Sequence, residues 1–384
     1  MKKIVVLGST GSVGRNTIEV ARHHGESFEI VGVSIGNNVE LLIEQLRLLP
    51  GIRFAVGTPE AYQAIEASAP DTAASCMGTG EEGIGRLIDE TAPDLVVNCL
   101  VGFVGLKPTM EALERGIPVA IANKESIVAG GEILVNKSRE SGAPLIPIDS
   151  EHVAISQCLA GRSAGEIRRV FITASGGSLR DKPVEELASA GLDEVLSHPT
   201  WNMGDKITVD SATMVNKGLE IIEAHWLFGI PYEKIEVVIH PQSTVHSMVE
   251  LTNRSIIAQL SIPDMKLPIL HALSYPETIA TDLSPSTISK FPALSFEEVD
   301  YERYPCLRLA MRAAESGGNR PAVLNSANEE AVRFFLQRSI NFAQIHDIIK
   351  SALEGVPFRP IRSLEDILAA DGETRTFVRN KFCL

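Results

Sequence analysis

Residues 145–157 read LIPIDSEHVAISQ, an apolar run that ends on Asp149, Ser150, Glu151 and His152. Alternate residues of an extended chain face the same way, so Asp149 and Glu151 can converge on one point. Two carboxylates held together repel unless a proton or a cation lies between them, and a hard divalent cation with oxygen ligands is the natural guest. A solvated strand end would read the same way, so a third acid matters. MVNKGLEIIEAHWLFG (214–229) is a helix whose Leu219, Ile222 and Trp226 form one buried face. Glu220 lies just off the centre of that face, open either to a metal or to solvent.

A second constellation is GSTGSVG at 8–14, with Gly8, Gly11 and Gly14 between a short apolar strand and a helix. Glycines there let the chain turn tightly and let backbone N–H groups approach a pyrophosphate at a helix N-terminus. The pattern alone is moderately specific, and its strand–turn–helix context favours a dinucleotide site over a plain βα turn. The end of the second strand usually reports which dinucleotide, an acid for the ribose of NAD and a base for the 2′-phosphate of NADP. VSIGNN offers neither, only Ser34, Asn37 and Asn38. IANKES (121–126) closes another strand with Asn123, Lys124 and Glu125, where parallel sheets place ligands.

Two further stretches suit a phosphate. FITASGGS (171–178) leads a strand into Ser175, Gly176, Gly177 and Ser178. ITVDSATMVNKG is read as a strand running into Asp210 and Ser211, which can cap the following helix, with Lys217 as a point charge. Each alone could be a capped turn; together they favour a phosphorylated small substrate. Between them, LSHPTWNMGDK (196–206) carries His198, Trp201 and Met203 among Pro199 and Gly204. That composition fits a lid over a ligand, or a loop pinned by its tryptophan. His240 and His246 are expected to be structural.

These residues need a scaffold. KIVVLG (3–8), FEIVGVSIG (28–36), DLVVNCLVG (94–102), IPVAIAN (117–123) and APLIPID (143–149) read as buried strands. Helices are expected at 15–24, 41–49 and 59–68 and in KPTMEALERG, so the N-terminal part is an α/β, doubly wound parallel sheet. After it come a mixed α/β domain, with a hairpin turning near Asn253, and a small helical C-terminal domain. The expected division is 1–149 for dinucleotide binding, 150–274 for catalysis, 275–300 as a linker and 301–384 as the helical domain.

Composition limits the partners. The chain has 384 residues, 44% of them apolar, and a net charge of −14 without a basic cluster, which argues against nucleic acid and anionic membranes. Five scattered cysteines give neither zinc spacing nor a disulfide framework and fit a reducing, cytoplasmic setting. No secretory signal or transmembrane run is read, and Cys383 stands too near the end for a prenylation box.

The ordered set GSTGSVG, ANKES, DSEHVAI, ASGGS, HPTWNMG, DSATMVNKGLEIIEA and HPQSTVHSMV closely resembles the 1-deoxy-D-xylulose 5-phosphate reductoisomerase family along the whole chain. The resemblance implies a Rossmann-like N-terminal domain and an NADPH-dependent, Mg²⁺- or Mn²⁺-dependent enzyme of isoprenoid precursor synthesis, working as a homodimer, with 235–262 a possible dimer surface. It puts Asp149, Glu151 and Glu220 on the metal, and Lys124, Ser150 and Glu151 on the oxygenated carbons of the substrate. Ser175, Ser211, Asn216 and Lys217 would hold the substrate phosphate, with His198 nearby and the Trp201 loop as lid. Thr10, Gly11, Ser12, Val13, Gly36, Asn38, Asn123, Glu125 and Gly204 would line the cofactor site, with Asn37 beside them. Lys124, Glu151 and Glu220 would be the catalytic set. One departure stands out: the family commonly has Lys or Arg where this chain has Asn37. A plain sugar-phosphate dehydrogenase and a non-catalytic dinucleotide sensor are the rival readings.

Overall fold

The computed structural model describes residues 1–382, so Cys383 lies outside the described residues. Seven short strands, β1 (Lys2–Leu7), β2 (Phe28–Ile35), β3 (Arg53–Val56), β4 (Cys76–Thr79), β5 (Leu95–Asn98), β6 (Val119–Ile121) and β7 (Leu145–Pro147), form one parallel sheet. Its order, β4-β3-β2-β1-β5-β6-β7, reverses direction at β1, which makes it doubly wound. Ile4, Val6, Val33, Phe54 and Val97 are buried in its core, which explains why the strands carry unbroken apolar runs.

This sheet belongs to the first of two units, made of Met1–Ser126, Leu134–Asp149 and Asp264–Ser284. The last segment falls on both sides of the sequence division at 274/275. Its helix Lys266–Ser274 buries Ile269, Leu270 and Leu273 in the first core, and Lys2 Nζ donates to the Leu273 carbonyl at 2.8 Å. The first strand and helix meet at the glycine loop. Gly8 has φ of +80°, and a Cβ there would stand 2.7 Å from the Cys99 carbonyl oxygen. A Cβ on Gly14 would stand 2.3 Å from the Gly8 carbonyl oxygen. Behind the loop, Ser9 and Gln45 exchange two buried hydrogen bonds of 2.7 and 2.8 Å.

The second unit comprises Ile127–Ile133, Ser150–Pro263 and Pro285–Leu384. Its sheet has strands β8 (Ile167–Ala174), β9 (Ile235–Ile239), β10 (Val245–Leu251) and β11 (Ile256–Leu260) in the order β11-β10-β8-β9. β8 and β9 are parallel, and β10 and β11 form the expected antiparallel hairpin. The helices Pro305–Ser316, Arg320–Leu336, Phe342–Gly355 and Leu364–Phe382 share a core with Val209, Leu219 and Ile222, so the helical region and the site-bearing helices are packed as one body.

Two sequence expectations are corrected. The segment around ITVD is not a strand: Asp205–Ala212 is a helix. The β-branched Ile207, Thr208 and Val209 suggest extended chain, but Val209 is drawn into the helical core and Thr208 Oγ1 donates to the Gly204 carbonyl at 2.9 Å. Nor does Ser211 cap the next helix. Met214, at φ +59°, breaks the chain in the left-handed region before Val215–Phe228, with no side-chain cap.

The four described cysteines are free, and among the described residues no helix is long and apolar enough to cross a membrane. The glycine loop gives a direct check. Gly14→Ala forces a methyl onto backbone and should cost about 1–3 kcal/mol in urea unfolding. Gly36→Ala, where a Cβ would meet nothing within 4 Å, should stay within about 0.5 kcal/mol.

Candidate active site

The apolar run ends as expected, but not as an extended chain. Helix Ser150–Leu159 starts directly after Asp149, so Glu151 is a first-turn helical residue and strand alternation does not set its direction. Asp149 accepts from Lys124 Nζ at 2.8 Å, both side chains being largely buried in the first unit. Lys124 opens the helix Lys124–Ser141, which Asn123 caps by accepting from Ser126 N at 3.2 Å. Asn123 Nδ2 also donates to the carbonyls of Leu100 and Gly102 and to Glu125 Oε2. One asparagine thus ties the ends of β5 and β6 to the helix that carries Lys124.

In the second unit, Glu220 is not a solvated charge. It is 1% exposed, on a helix buried from Val215 through Ala224. Lys217 Nζ donates to Glu151 Oε1 and, at 2.7 Å, to Glu220 Oε2, so one ammonium lies between two carboxylates. Asn216 Nδ2 donates to the other Glu220 oxygen, and Ser150 Oγ donates to Glu151. Asn216 and Lys217, expected around a phosphate, are here turned to the glutamates. The donor set fits a hard cation: carboxylate oxygens from two helices converge on a positive charge with little water to screen it.

His152 was not singled out by its sequence. It is fully buried, and its Nε2 lies 3.0 Å from the Glu220 carbonyl, which can only accept, so Nε2 carries the proton. Its Nδ1 lies 3.9 Å from Glu223 Oε2. The one available signal was its place directly after Glu151 on a helix whose neighbours are apolar.

The two phosphate-suited stretches do meet. A Cβ on Gly177 (φ +72°) would stand 2.7 Å from the Ala212 Cα and the Ser211 carbonyl oxygen, so only glycine allows this approach. Ser175 Oγ accepts from Gly177 N at 3.1 Å. His198 Nδ1 accepts from the backbone N–H groups of Thr200 and Trp201, so its Nε2 carries the proton and donates to Ser175 Oγ at 3.0 Å. The proton of Ser175 itself is then left to donate outward. Tyr304 Oη donates to the Gly176 carbonyl at 2.8 Å and braces the turn from the helical region.

Asp210 is an anchor rather than a cap. It is 1% exposed and accepts from Lys206 at 2.8 Å and from Asn328 at 2.7 Å. Trp201 is partly exposed and meets the His246 ring edge-on at 6.2 Å, so it is not a core residue. Gly204 precedes helix Asp205–Ala212. His240 is structural as expected: Nδ1 bonds the Ser295 carbonyl, and Nε2 accepts from Thr244 and Val245. Of the expected dinucleotide residues, Thr10, Gly11, Ser12 and Val13 form the start of helix Ser12–His23, where no side chain caps the N–H groups. Gly36, Asn37 and Asn38 follow β2 in the same unit.

Burial first, and then the charge of Lys217, pushes the His198 pKa down from 6.5 to about 4. Between those values the unfolded chain takes up a proton that the folded ring refuses. The contribution to stability is therefore whole above pH 6.5 and is lost as pH falls toward 4. Thermal unfolding of His198→Asn should show a shallower loss of Tm across that window; equal slopes would contradict the neutral-ring assignment.

Family models described as 1-deoxy-D-xylulose 5-phosphate reductoisomerase and its C-terminal domains match residues 4–131, 145–228 and 260–377. A 1-deoxy-D-xylulose 5-phosphate reductoisomerase from Gloeobacter violaceus is 47% identical over 99% of this chain and 97% of its own, and one from a Geobacillus species is 44% identical over 99% and 100%. A crystal structure of DOX-P reductoisomerase in complex with NADPH, fosmidomycin and magnesium superposes with a TM-score of 0.93 at 36% identity, covering 100% and 99% of the two chains. The Zymomonas mobilis enzyme in complex with NADPH gives 0.90 at 38%, covering 99% of each. The chain therefore belongs to the 1-deoxy-D-xylulose 5-phosphate reductoisomerase family.

Proposed function

We propose that the chain rearranges 1-deoxy-D-xylulose 5-phosphate and reduces it with NADPH to 2-C-methyl-D-erythritol 4-phosphate, a step in isoprenoid precursor synthesis. The observation that carries this reading is the pair Glu151 and Glu220 sharing one ammonium, a half-buried and a buried acid arranged to hold positive charge. A dehydrogenase acting on a plain alcohol has no use for it.

Asp149, Glu151 and Glu220 would hold Mg²⁺ or Mn²⁺, which supplies Lewis-acid polarisation of the ketone and neighbouring hydroxyl oxygens. Lys124 Nζ, held by Asp149, offers N–H donors to an oxygen that gains negative charge while the carbon–carbon bond is broken and remade. Ser150 and Glu151 hold the substrate hydroxyls. Ser175 donates its hydroxyl proton to the phosphate, His198 keeps that hydroxyl oriented, and Ser211, Asn216 and Lys217 complete the anion site. Binding energy from the phosphate orients the reacting carbons, and the Trp201 segment closes over them and excludes water. The dinucleotide is held through Thr10–Val13, Gly36–Asn38, Asn123, Glu125 and Gly204, and the nicotinamide supplies the hydride. The working form is a homodimer in the cytoplasm, a reading supported by the edge strand β11, where Ile256 is 55% exposed.

The test is NADPH oxidation with this substrate in Mn²⁺ and then in excess EDTA. Turnover should require the metal, and Glu220→Gln should cut kcat by at least about a hundredfold with the fold retained. Turnover indifferent to EDTA would turn the reading toward a plain sugar-phosphate dehydrogenase.

A further inference from the structure

The residues after the second strand of a doubly wound sheet meet the adenosine ribose, where a carboxylate suits the hydroxyls and a cation suits a 2′-phosphate. Here β2 gives way to Gly36, Asn37 and Asn38, and the Gly36 carbonyl accepts from Gly57 N at 3.0 Å, which fixes the ends of β2 and β3 together. Asn37 and Asn38 border a groove of about 770 Å³ whose other polar lining residues are Glu40, Thr58, Glu60 and Ser68. No Lys or Arg lines it among the described residues, and both of its charged groups are carboxylates.

The two amides are set in definite directions. Thr58 Oγ1 donates to Asn37 Oδ1 at 3.1 Å, and Asn38 Oδ1 accepts from Leu41 N at 3.1 Å as the cap of helix Val39–Leu48. With both oxygens engaged, the NH₂ groups are what the asparagines have left to donate. An amide N–H serves a phosphate oxygen or a ribose hydroxyl almost equally, because it brings no net charge. Glu40 and Glu60 repel a dianionic 2′-phosphate and can accept from a 2′,3′-diol.

We infer that this chain discriminates only weakly between NADPH and NADH, and that Asn37 is the residue that sets the ratio. This rests on the cofactor reading above. The groove gives up the charge that favours NADPH while keeping donors for both nucleotides, so NADH is a second usable reductant.

The test is equilibrium titration of the whole chain with NADPH and with NADH, without substrate, followed by nicotinamide fluorescence. For the natural chain the two Kd values should lie within about tenfold of each other. Asn37→Lys should tighten NADPH at least about tenfold, leave NADH within about twofold, and make NADPH binding weaken with salt. Glu60→Gln should move the ratio the same way by a smaller factor. A natural preference for NADPH of about a hundredfold or more, or an Asn37→Lys ratio unchanged from the natural one, would overturn the inference and leave the proposed reaction standing. Binding of neither dinucleotide would overturn the cofactor reading itself and this inference with it.

Discussion

A buried glutamate cannot stand beside a second carboxylate without a positive charge between them, and the second unit is arranged around that constraint. Glu220 lies on a helix hidden on nearly every side, where an uncompensated carboxylate would be strongly destabilising. Lys217, three residues earlier on the same helix, reaches both Glu220 and Glu151. His152 holds the Glu220 backbone, and Asn216 holds its remaining oxygen. The helix is pressed into place from behind. A Cβ on Gly218 would stand 2.2 Å from Ala310 Cβ, so glycine lets the helix Pro305–Ser316 approach that closely.

The same helical region supports the glycine turn after β8. Gly176 and Gly177, both at positive φ, form a tight turn, and Tyr304 and Arg303 reach back to the carbonyls of Gly176, Leu179 and Lys182. Asn328 fixes Asp210 and with it the helix leading to Ser211. What reads along the chain as a separate C-terminal appendage is thus the backing on which the acids and the glycine turn are mounted. This explains why so many buried polar groups, including Asp210 and Asn328, survive in its core: each has a specific partner to orient.

Much of this was legible in the sequence, for physical reasons that can be named. Buried parallel strands leave unbroken apolar runs; β2 and β5 fall inside theirs, and β1 overlaps its own from Lys3 to Leu7. The glycine loop was legible because Gly8 and Gly14 are required by close backbone approach, not by preference. Short strands were harder: β3 and β4, of four residues each, carry too little pattern to be seen. ITVD misled because tertiary burial overrode β-branched propensity. Glu220 was ambiguous because adjacency to Leu219 cannot say that the helix is covered on both sides. The partners of His152 and Tyr304 were not legible because both act on carbonyls far away in the sequence. The segment 264–284 returns to the first core through Ile269, Leu270 and Leu273, and nothing in its local composition announces the destination.

The central claim is that Glu151 and Glu220 form a ready cation site in which the Lys217 ammonium and a divalent metal are alternatives. Electron paramagnetic resonance of Mn²⁺ titrated into the unliganded protein tests it directly. One saturable site per chain, displaced by Mg²⁺ and made tighter in Lys217→Met, is the predicted result. Absence of a saturable site, or a site whose affinity is untouched by Lys217→Met, would contradict it.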